Sequence, residues 1–341
     1  MKRQILNYLL VAILIVITIS LILGENRITE IPLLLLKINK IYLLIGMLCM
    51  VFYWVIDGLI IYYLTKMINS KSSLLKSIKF TMIGQYYNNI TPFSSGGQPA
   101  QIYVMANESI PIGISTSILL VKFIIFQIVV TLFSVFMFII KLSFIYKNLK
   151  MILPFFAIGI VIRLFGTIAL ITLFFNQNTT KKLINIVLYL LHKVKIIKNL
   201  EKIVLSFEEH LNEYMIGIDK IKENKRISLE ISFLTLVQIT VYFSITYFIY
   251  LSMGFNKASL LDIISIQSLL DVAVSYMPTP GRVGTSEGGF YLFFKGFFGA
   301  AMLPYAIFLW RMITYYLNVA ISGIITLVDF LKRKNNRAFS D

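Results

Sequence analysis

The chain has 341 residues, of which 58% are hydrophobic and only 14% charged, with a formal net charge of +16. A mean hydropathy of +0.81 exceeds what a soluble domain needs and indicates a polytopic membrane protein with room for about six to eight spans of ~20 residues each. The basic excess sits mostly in connecting segments, where it anchors the chain to anionic membrane lipids, and no soluble basic face is expected to bind nucleic acid.

The first span is expected at residues 5–23, behind Met1-Lys2-Arg3, because its apolar run is too long for a cleaved signal peptide. The connector 24–40 mixes Glu25 and Glu30 with basic residues, and a second span at 41–64 contains Cys49 and Asp57. Residues 65–79 carry Lys66, Lys71, Lys76 and Lys79 and no acid, which places them and the N-terminus on the cytoplasmic side of a cell membrane. A polar interruption follows within 80–111, centred on I-T-P-F-S-S-G-G-Q-P-A-Q-I-Y-V-M from Ile90 to Met105. Each apolar half is too short to cross, so the segment reads as a re-entrant hairpin. Spans at 112–140 and 151–175 are joined by a segment with Lys141, Lys147 and Lys150, which argue against an external loop.

Residues 176–226 form the longest polar segment. In it Leu200, Val204, Phe207, Leu211, Tyr214, Ile218 and Ile221 recur at helical spacing, as in a cytoplasmic amphipathic helix lying on the membrane or on the bundle. A span at 227–253 leads to a second interrupted element at 258–303, centred on Y-M-P-T-P-G-R-V-G-T-S-E-G-G-F-Y from Tyr276 to Tyr291. The last span, 304–330, ends at Lys332-Arg333-Lys334, a cytoplasmic signature. Counting crossings makes the two broken elements enter from opposite faces. The expected fold is thus all-α, one integral membrane domain over 1–341 with two re-entrant broken helices. The parallel placement of Thr91-Pro92 before Gly96-Gly97 and Thr279-Pro280 before Gly288-Gly289 hints at an inverted repeat.

Broken backbone at membrane depth survives where it is buried in protein or lines a wet cavity, so the two interruptions are the candidate site. In the first, Ser94 or Ser95 can cap a half-helix beginning near Pro99, with Gly96 and Gly97 letting the backbone approach a ligand. Pro92 breaks the incoming helix, and Gln98 and Gln101 add neutral donors. The exposed N–H groups form a cradle for an anion such as a lipid phosphate. In the second, Pro280, Gly281, Gly284 and Gly288 loosen the backbone, Thr285 and Ser286 can cap the next half-helix, and Arg282 suits a phosphate. Glu287 can pair with Arg282 or answer an amine. A break that only lets helices pack is the plainer alternative. Asp57, Lys122, Arg163, Asp271 and Arg311 are isolated charges in apolar runs; Asp57 and Arg311 are expected to stand behind the site, as a pair across the bundle, and Lys122 and Arg163 to snorkel toward an interface or, alternatively, to line a path. No catalytic signature is present. The single cysteine and the two histidines, His192 and His210, offer no metal constellation, and no cofactor is expected.

T-P-F-S-S-G-G-Q-P-A-Q at 91–101, together with P-T-P-G-R-V-G-T-S-E-G-G at 278–289, resembles the lysylphosphatidylglycerol synthase transmembrane, or flippase-like, family across nearly the whole chain. The resemblance implies a membrane domain that moves an aminoacylated phospholipid between leaflets, with substrate residues at Pro92, Ser94, Ser95, Gly96, Gly97, Gln98 and Pro99 and at Pro280, Gly281, Arg282, Gly284, Glu287 and Gly288. A separate cytosolic domain joins the amino acid to the lipid in such proteins. This sequence stops soon after its last span, so aminoacyl transfer is not expected of this chain alone. The expected partner is a phospholipid head group. A membrane component working with a separate lipid-modifying chain is the alternative.

Overall fold

The structure, a computed structural model, describes residues 36–68, 73–175, 181–182, 186, 200–275, 277 and 279–338. The expected first span at 5–23, His192 and most of the polar segment before residue 200 lie outside these residues. The described chain is helical, without strands. In order, the helices are α1 Lys40–Ile68, α2 Leu74–Ile90, α3 Gly97–Asn107, α4 Ile112–Ile140, α5 Leu142–Asn148, α6 Leu153–Phe175, α7 Leu200–Glu223, α8 Lys225–Ser252, α9 Leu260–Val274, α10 Thr285–Arg311 and α11 Leu317–Ala338.

Among the described residues, five stretches are long and apolar enough to cross a membrane: Lys40–Ile68, Ile112–Ile140, Lys150–Thr172, Lys225–Ser252 and Pro280–Arg333. The last is longer than one crossing requires and is not straight. Gly299 breaks it at φ 68° and ψ 160°, and a π-helical turn over Met312–Tyr316 shifts the register before α11.

The two interrupted elements are hairpins that close at opposite ends of the bundle. Helices α2 and α3 form the first. Glu108, just past α3, reaches back to the start of α2, with Lys76 Nζ at 2.8 Å and Lys79 Nζ at 2.6 Å. Lys79 also lies 3.2 Å from Asp329 near the end of α11, tying the chain's last helix to the same end. The second hairpin runs from α9 into the first half of α10 and starts at the other end. There Ser259 and Asp262 form a reciprocal cap, and Asp262 pairs with Lys141 at 2.7 Å. Phe298 returns to that end and packs against Tyr250 and Phe255, with ring centroids at 5.5 and 5.7 Å. The 141–150 connection therefore lies at the base of the second hairpin, where Asp262 neutralises one of its lysines.

Each hairpin has its own apolar core. Ile60, Ile61, Phe80, Ile83, Met105 and Ile118 pack around the first. Around the second, Ile263, Leu269, Phe290, Phe293, Phe294 and Phe298 are almost fully buried, and Phe290 stacks on Phe294 at 4.4 Å. Helix α7 lies on the bundle, not apart from it. Leu211, Tyr214, Ile218 and Ile221 are buried, and the Gly113 N–H donates to Glu213 Oε2 at 3.0 Å. The side chains of Leu200, Val204 and Phe207 from the predicted stripe fall outside the described set.

Partial burial alone would raise the Glu108 carboxyl, but hydrogen bonds and charge from Lys76 and Lys79 outweigh it and hold the group below its ordinary value of 4.5. A carboxylate depressed in the fold stabilises fully above its unfolded pKa and loses that contribution as pH falls through the folded value. Glu108→Gln should therefore lower the unfolding temperature of the detergent-solubilised protein by a few degrees at neutral pH. The gap from wild type should close on acidification below 4.5. A gap independent of pH would show that the lysine pairs do not hold the hairpin base.

Candidate functional site

The two interruptions share one backbone design. Thr91 and Thr279 are extended, each is followed by proline, and a short 3-10 turn covers Pro92–Ser94 in one and Pro280–Arg282 in the other. The turns close with matching bonds: the Ser94 N–H donates to Thr91 O at 3.2 Å and the Arg282 N–H to Thr279 O at 3.0 Å. Both contain a left-handed pair, Phe93 and Ser94 at φ 55° and 52°, and Gly281 and Arg282 at 57°. Three of these four residues are not glycine, so the turns hold strain of the kind that clusters at working sites. The next half-helix starts at the same offset from each proline, at Gly97 and at Thr285. The offset aligns Gly96-Gly97 with Gly284-Thr285 and not with the Gly288-Gly289 pair expected from sequence, but the joints differ: Ser95 and Gly96 are right-handed, whereas Val283 is extended and Gly284 has φ 84°.

Capping follows a different set of side chains from the expected one. Ser94 and Ser95 do not cap α3: the Gly96 N–H donates to Thr91 Oγ1 and the Gly97 N–H to Asn88 Oδ1, both at 2.9 Å. Pro99 falls within the first turn of α3, where its missing N–H leaves nothing unmet. At the second break Thr285 donates to Arg282 O instead of capping, and Glu287 reaches back to accept from the Gly284 N–H at 2.7 Å. A Cβ on Gly97 would collide with the Asn88 amide, and one on Gly281 with the Tyr315 ring. At Gly288 a Cβ meets nothing within 4 Å, so no close approach explains that glycine.

The two turns touch, and between the hairpins lies a polar cavity of about 520 Å³, within the range of ordinary ligand sites. Of the residues singled out from sequence, Asp57, Ser94, Ser95, Gln98, Gln101, Gly281, Arg282, Ser286 and Arg311 line it. Pro92, Gly96, Gly97, Pro99, Pro280, Gly284, Thr285, Glu287 and Gly288 do not; apart from Gly288, they build the breaks that the lining hangs from.

The charge pairing also differs from expectation. Asp57 does not meet Arg311. It lies 2.6 Å from Lys122 Nζ and accepts from Thr81 Oγ1 and Gln238 Nε2, both at 3.0 Å. Arg311, 4% exposed, pairs instead with Glu287 at 2.7 Å, donates to Gly281 O at 3.2 Å and stacks on Tyr315 at 4.2 Å. Arg282 does not reach Glu287; it bonds Asp271 at 3.1 Å. Lys122 and Arg163 do not snorkel, since both line the cavity. Arg163 is 2% exposed, and its Nη2 donates to Asp271 at 3.3 Å and to Ser275 Oγ at 3.0 Å, so one carboxylate serves two guanidinium groups. Long apolar flanks made Lys122 and Arg163 look like interface residues, whereas helix packing leaves them no path outward.

Sequence reasoning also passed over Asn88, Asn89, Gln85 and Asn318, which face the cavity from α2 and α11. Their signal was available as amides inside apolar runs, costly groups that need partners. Among the described residues, no cluster of histidine, cysteine and carboxylate side chains could hold a metal ion.

An all-helical bundle with five membrane-length apolar stretches and a charged cavity between two broken hairpins defines a polytopic helical membrane protein. Residues 4–322 match the family described as the lysylphosphatidylglycerol synthase TM region, and the chain belongs to that family. A UPF0104 membrane protein from Archaeoglobus fulgidus is 24% identical over 338 residues, covering 95% of this chain and 98% of that protein. No solved structure matches the chain.

Gly97→Ala and Gly281→Ala should each destabilise the detergent-solubilised protein by roughly 1–3 kcal/mol, one by dislodging the Asn88 cap and the other by combining left-handed strain with overlap on Tyr315. Gly288→Ala should stay within about 0.5 kcal/mol of wild type. Thermal unfolding ranks the three, and an equal loss at Gly288 would contradict the geometry of the second break.

Proposed function

We propose that the chain is a phospholipid translocase that admits an anionic head group to the cavity between its broken hairpins while the acyl tails stay in lipid. The observation that carries this reading is the cavity's unbalanced charge. Four cations line it, Lys122, Arg163, Arg282 and Arg311, against two lining carboxylates, Asp57 and Asp271. Glu287 behind the wall answers Arg311, which leaves one positive charge over. A buried charge at this depth is costly without a partner, and a lipid phosphate supplies one. Arg163 and Arg282, sharing Asp271, form the natural phosphate pole.

Two hairpins from opposite ends with a ligand cavity where they meet suit access from either side. By the excess of lysine and arginine, the end that carries Lys66, Lys76, Lys79, Lys332 and Arg333 faces the cytoplasm of a cell membrane. Lysylphosphatidylglycerol, named in the family's description, belongs beside the anionic phospholipids among the lipids to test.

That same description favours a second reading, a membrane component of a lysyltransferase acting with a separate catalytic chain.

In proteoliposomes with asymmetrically labelled anionic phospholipid, wild-type protein should equilibrate the leaflets. Arg282→Ala and Gly97→Val, at matched reconstitution, should fall to the rate of protein-free vesicles. Undiminished exchange in both variants would rule out this cavity as the path. Separately, purified chain with lysyl-tRNA and phosphatidylglycerol should yield no lysylphosphatidylglycerol; product would favour the enzyme reading.

A further inference from the structure

The translocase reading leaves open what the phosphate carries, and the cavity lining speaks to this. Every carboxylate on the wall already holds a fixed cation of the protein. Asp57 is saturated by Lys122, Thr81 and Gln238, and Asp271 is shared between Arg163 and Arg282. Glu287 is committed both to Arg311 and to the Gly284 N–H. An ammonium-bearing head group would have to displace a lysine or arginine that cannot leave, inside a cavity that is already net positive.

Neutral hydrogen-bonding groups are plentiful instead. Gln85, Asn88, Asn89, Gln98 and Asn318 face the space. Among the buried side-chain atoms that accept or donate no hydrogen bond in the described residues, Nε and Nη1 of Arg163 and Oδ1 of Asn318 belong to residues that line the cavity and have no ion pair at those atoms. Arg163 is 2% exposed and Asn318 is 4% exposed, and both line the cavity. The two demands differ in kind. Arg163 has N–H donors that want anionic oxygen, and Asn318 has an acceptor that wants a hydroxyl or amide hydrogen. Trp310 and Tyr242 add aromatic surface beside these amides, the mixture of apolar faces and a few placed polar groups found in ligand sites.

We infer that the cavity takes a phosphodiester bearing a neutral polyhydroxylated group, a polyol or a sugar, with the phosphate on Arg163 and Arg282 and the hydroxyls on the amide collar around Asn318. The inference rests on the translocase reading and narrows it. The carrier lipid could be a glycerophospholipid or a polyprenyl phosphate, since either presents the same phosphodiester to the cavity.

The test uses the full chain in proteoliposomes and compares four labelled lipids: phosphatidylinositol, phosphatidylmethanol, lysylphosphatidylglycerol and a polyprenyl phosphohexose. Phosphatidylmethanol keeps the single negative charge and lacks head-group hydroxyls. Phosphatidylinositol or the polyprenyl sugar should move at least about tenfold faster than both phosphatidylmethanol and lysylphosphatidylglycerol, a difference of about 1.4 kcal/mol in the barrier. Whichever of the two moves identifies the carrier, and either supports the inference. Asn318→Ala should lower the ratio of hydroxylated lipid to phosphatidylmethanol, and Gln98→Ala, at an exposed wall position, should do so without threatening the fold. Arg163→Gln should slow every phosphodiester. Lysylphosphatidylglycerol moving as fast as phosphatidylinositol, or ratios unmoved in both amide variants, would overturn the inference and leave transport standing. If no lipid moves faster than in protein-free vesicles, the translocase reading fails and takes this one with it.

Discussion

A helix that stops inside an apolar bundle leaves backbone N–H and C=O groups with no water to meet them, and much of this molecule answers that problem twice. At the first break Asn88 and Thr91 reach forward from the end of α2 to take the N–H groups of Gly97 and Gly96. At the second, Glu287 reaches back to the Gly284 N–H, which puts a carboxylate at depth and creates a new debt of charge. Arg311 settles it, pairing with Glu287 while donating to the Gly281 carbonyl left bare by the same break. One guanidinium therefore ties the half-helix start to the turn before it, and its stacking on Tyr315 fixes it against the π-helical turn.

The ends of the bundle carry the stability that this strained middle consumes. Each hairpin is clamped at its base by ion pairs and filled by its own apolar cluster, so the polar turns are held between two cores and not within one. Phe93, Ser94 and Arg282 keep left-handed backbone because the surroundings on both sides over-determine it. The cavity lies between the two cores, with Met50, Leu270 and Trp310 of one and Leu119 of the other in its wall.

Sequence made the hairpins legible because proline and glycine inside apolar runs have few other meanings. The pairing of charges was not legible. Asp57 and Arg311 looked like partners because both are lone charges in long apolar runs, but partner choice depends on which helix faces lie opposite, and periodicity along one helix does not contain that. Lys122 and Arg163 were misjudged for a related reason: snorkelling is open to a residue facing lipid and closed to one facing a neighbour. The caps were partly legible, since Asn88 and Thr91 sit just before the break, where Asx and hydroxyl side chains compete for backbone. The serines drew attention away from them. Gln98 and Gln101 were read because they sit in the first break, whereas Gln85, Asn88, Asn89 and Asn318 went unremarked because amides scarcely move a hydropathy average, yet they face the cavity.

The corrected register of the repeat separates what the two hairpins share from what they do not. Aligning Thr91-Pro92 with Thr279-Pro280 brings the turns, the left-handed pairs and the half-helix starts into register, while the joint before each half-helix and the chemistry at the equivalent positions diverge. Ser94 stands where Arg282 stands, and Gln98 where Ser286 stands. The first hairpin thus contributes neutral hydrogen-bonding groups and the second contributes charge. On the proposed translocase reading, these unlike walls would give a single ligand two unlike ends to hold, its phosphate beside Arg163 and Asp271 on the α6 and α9 side and its hydroxyls at the amides of α2 and α11. A cavity with identical walls would grip a head group in either of two orientations. Unlike walls on similarly turned hairpins would leave it one, which is the physical route by which the proposed site could select a head group.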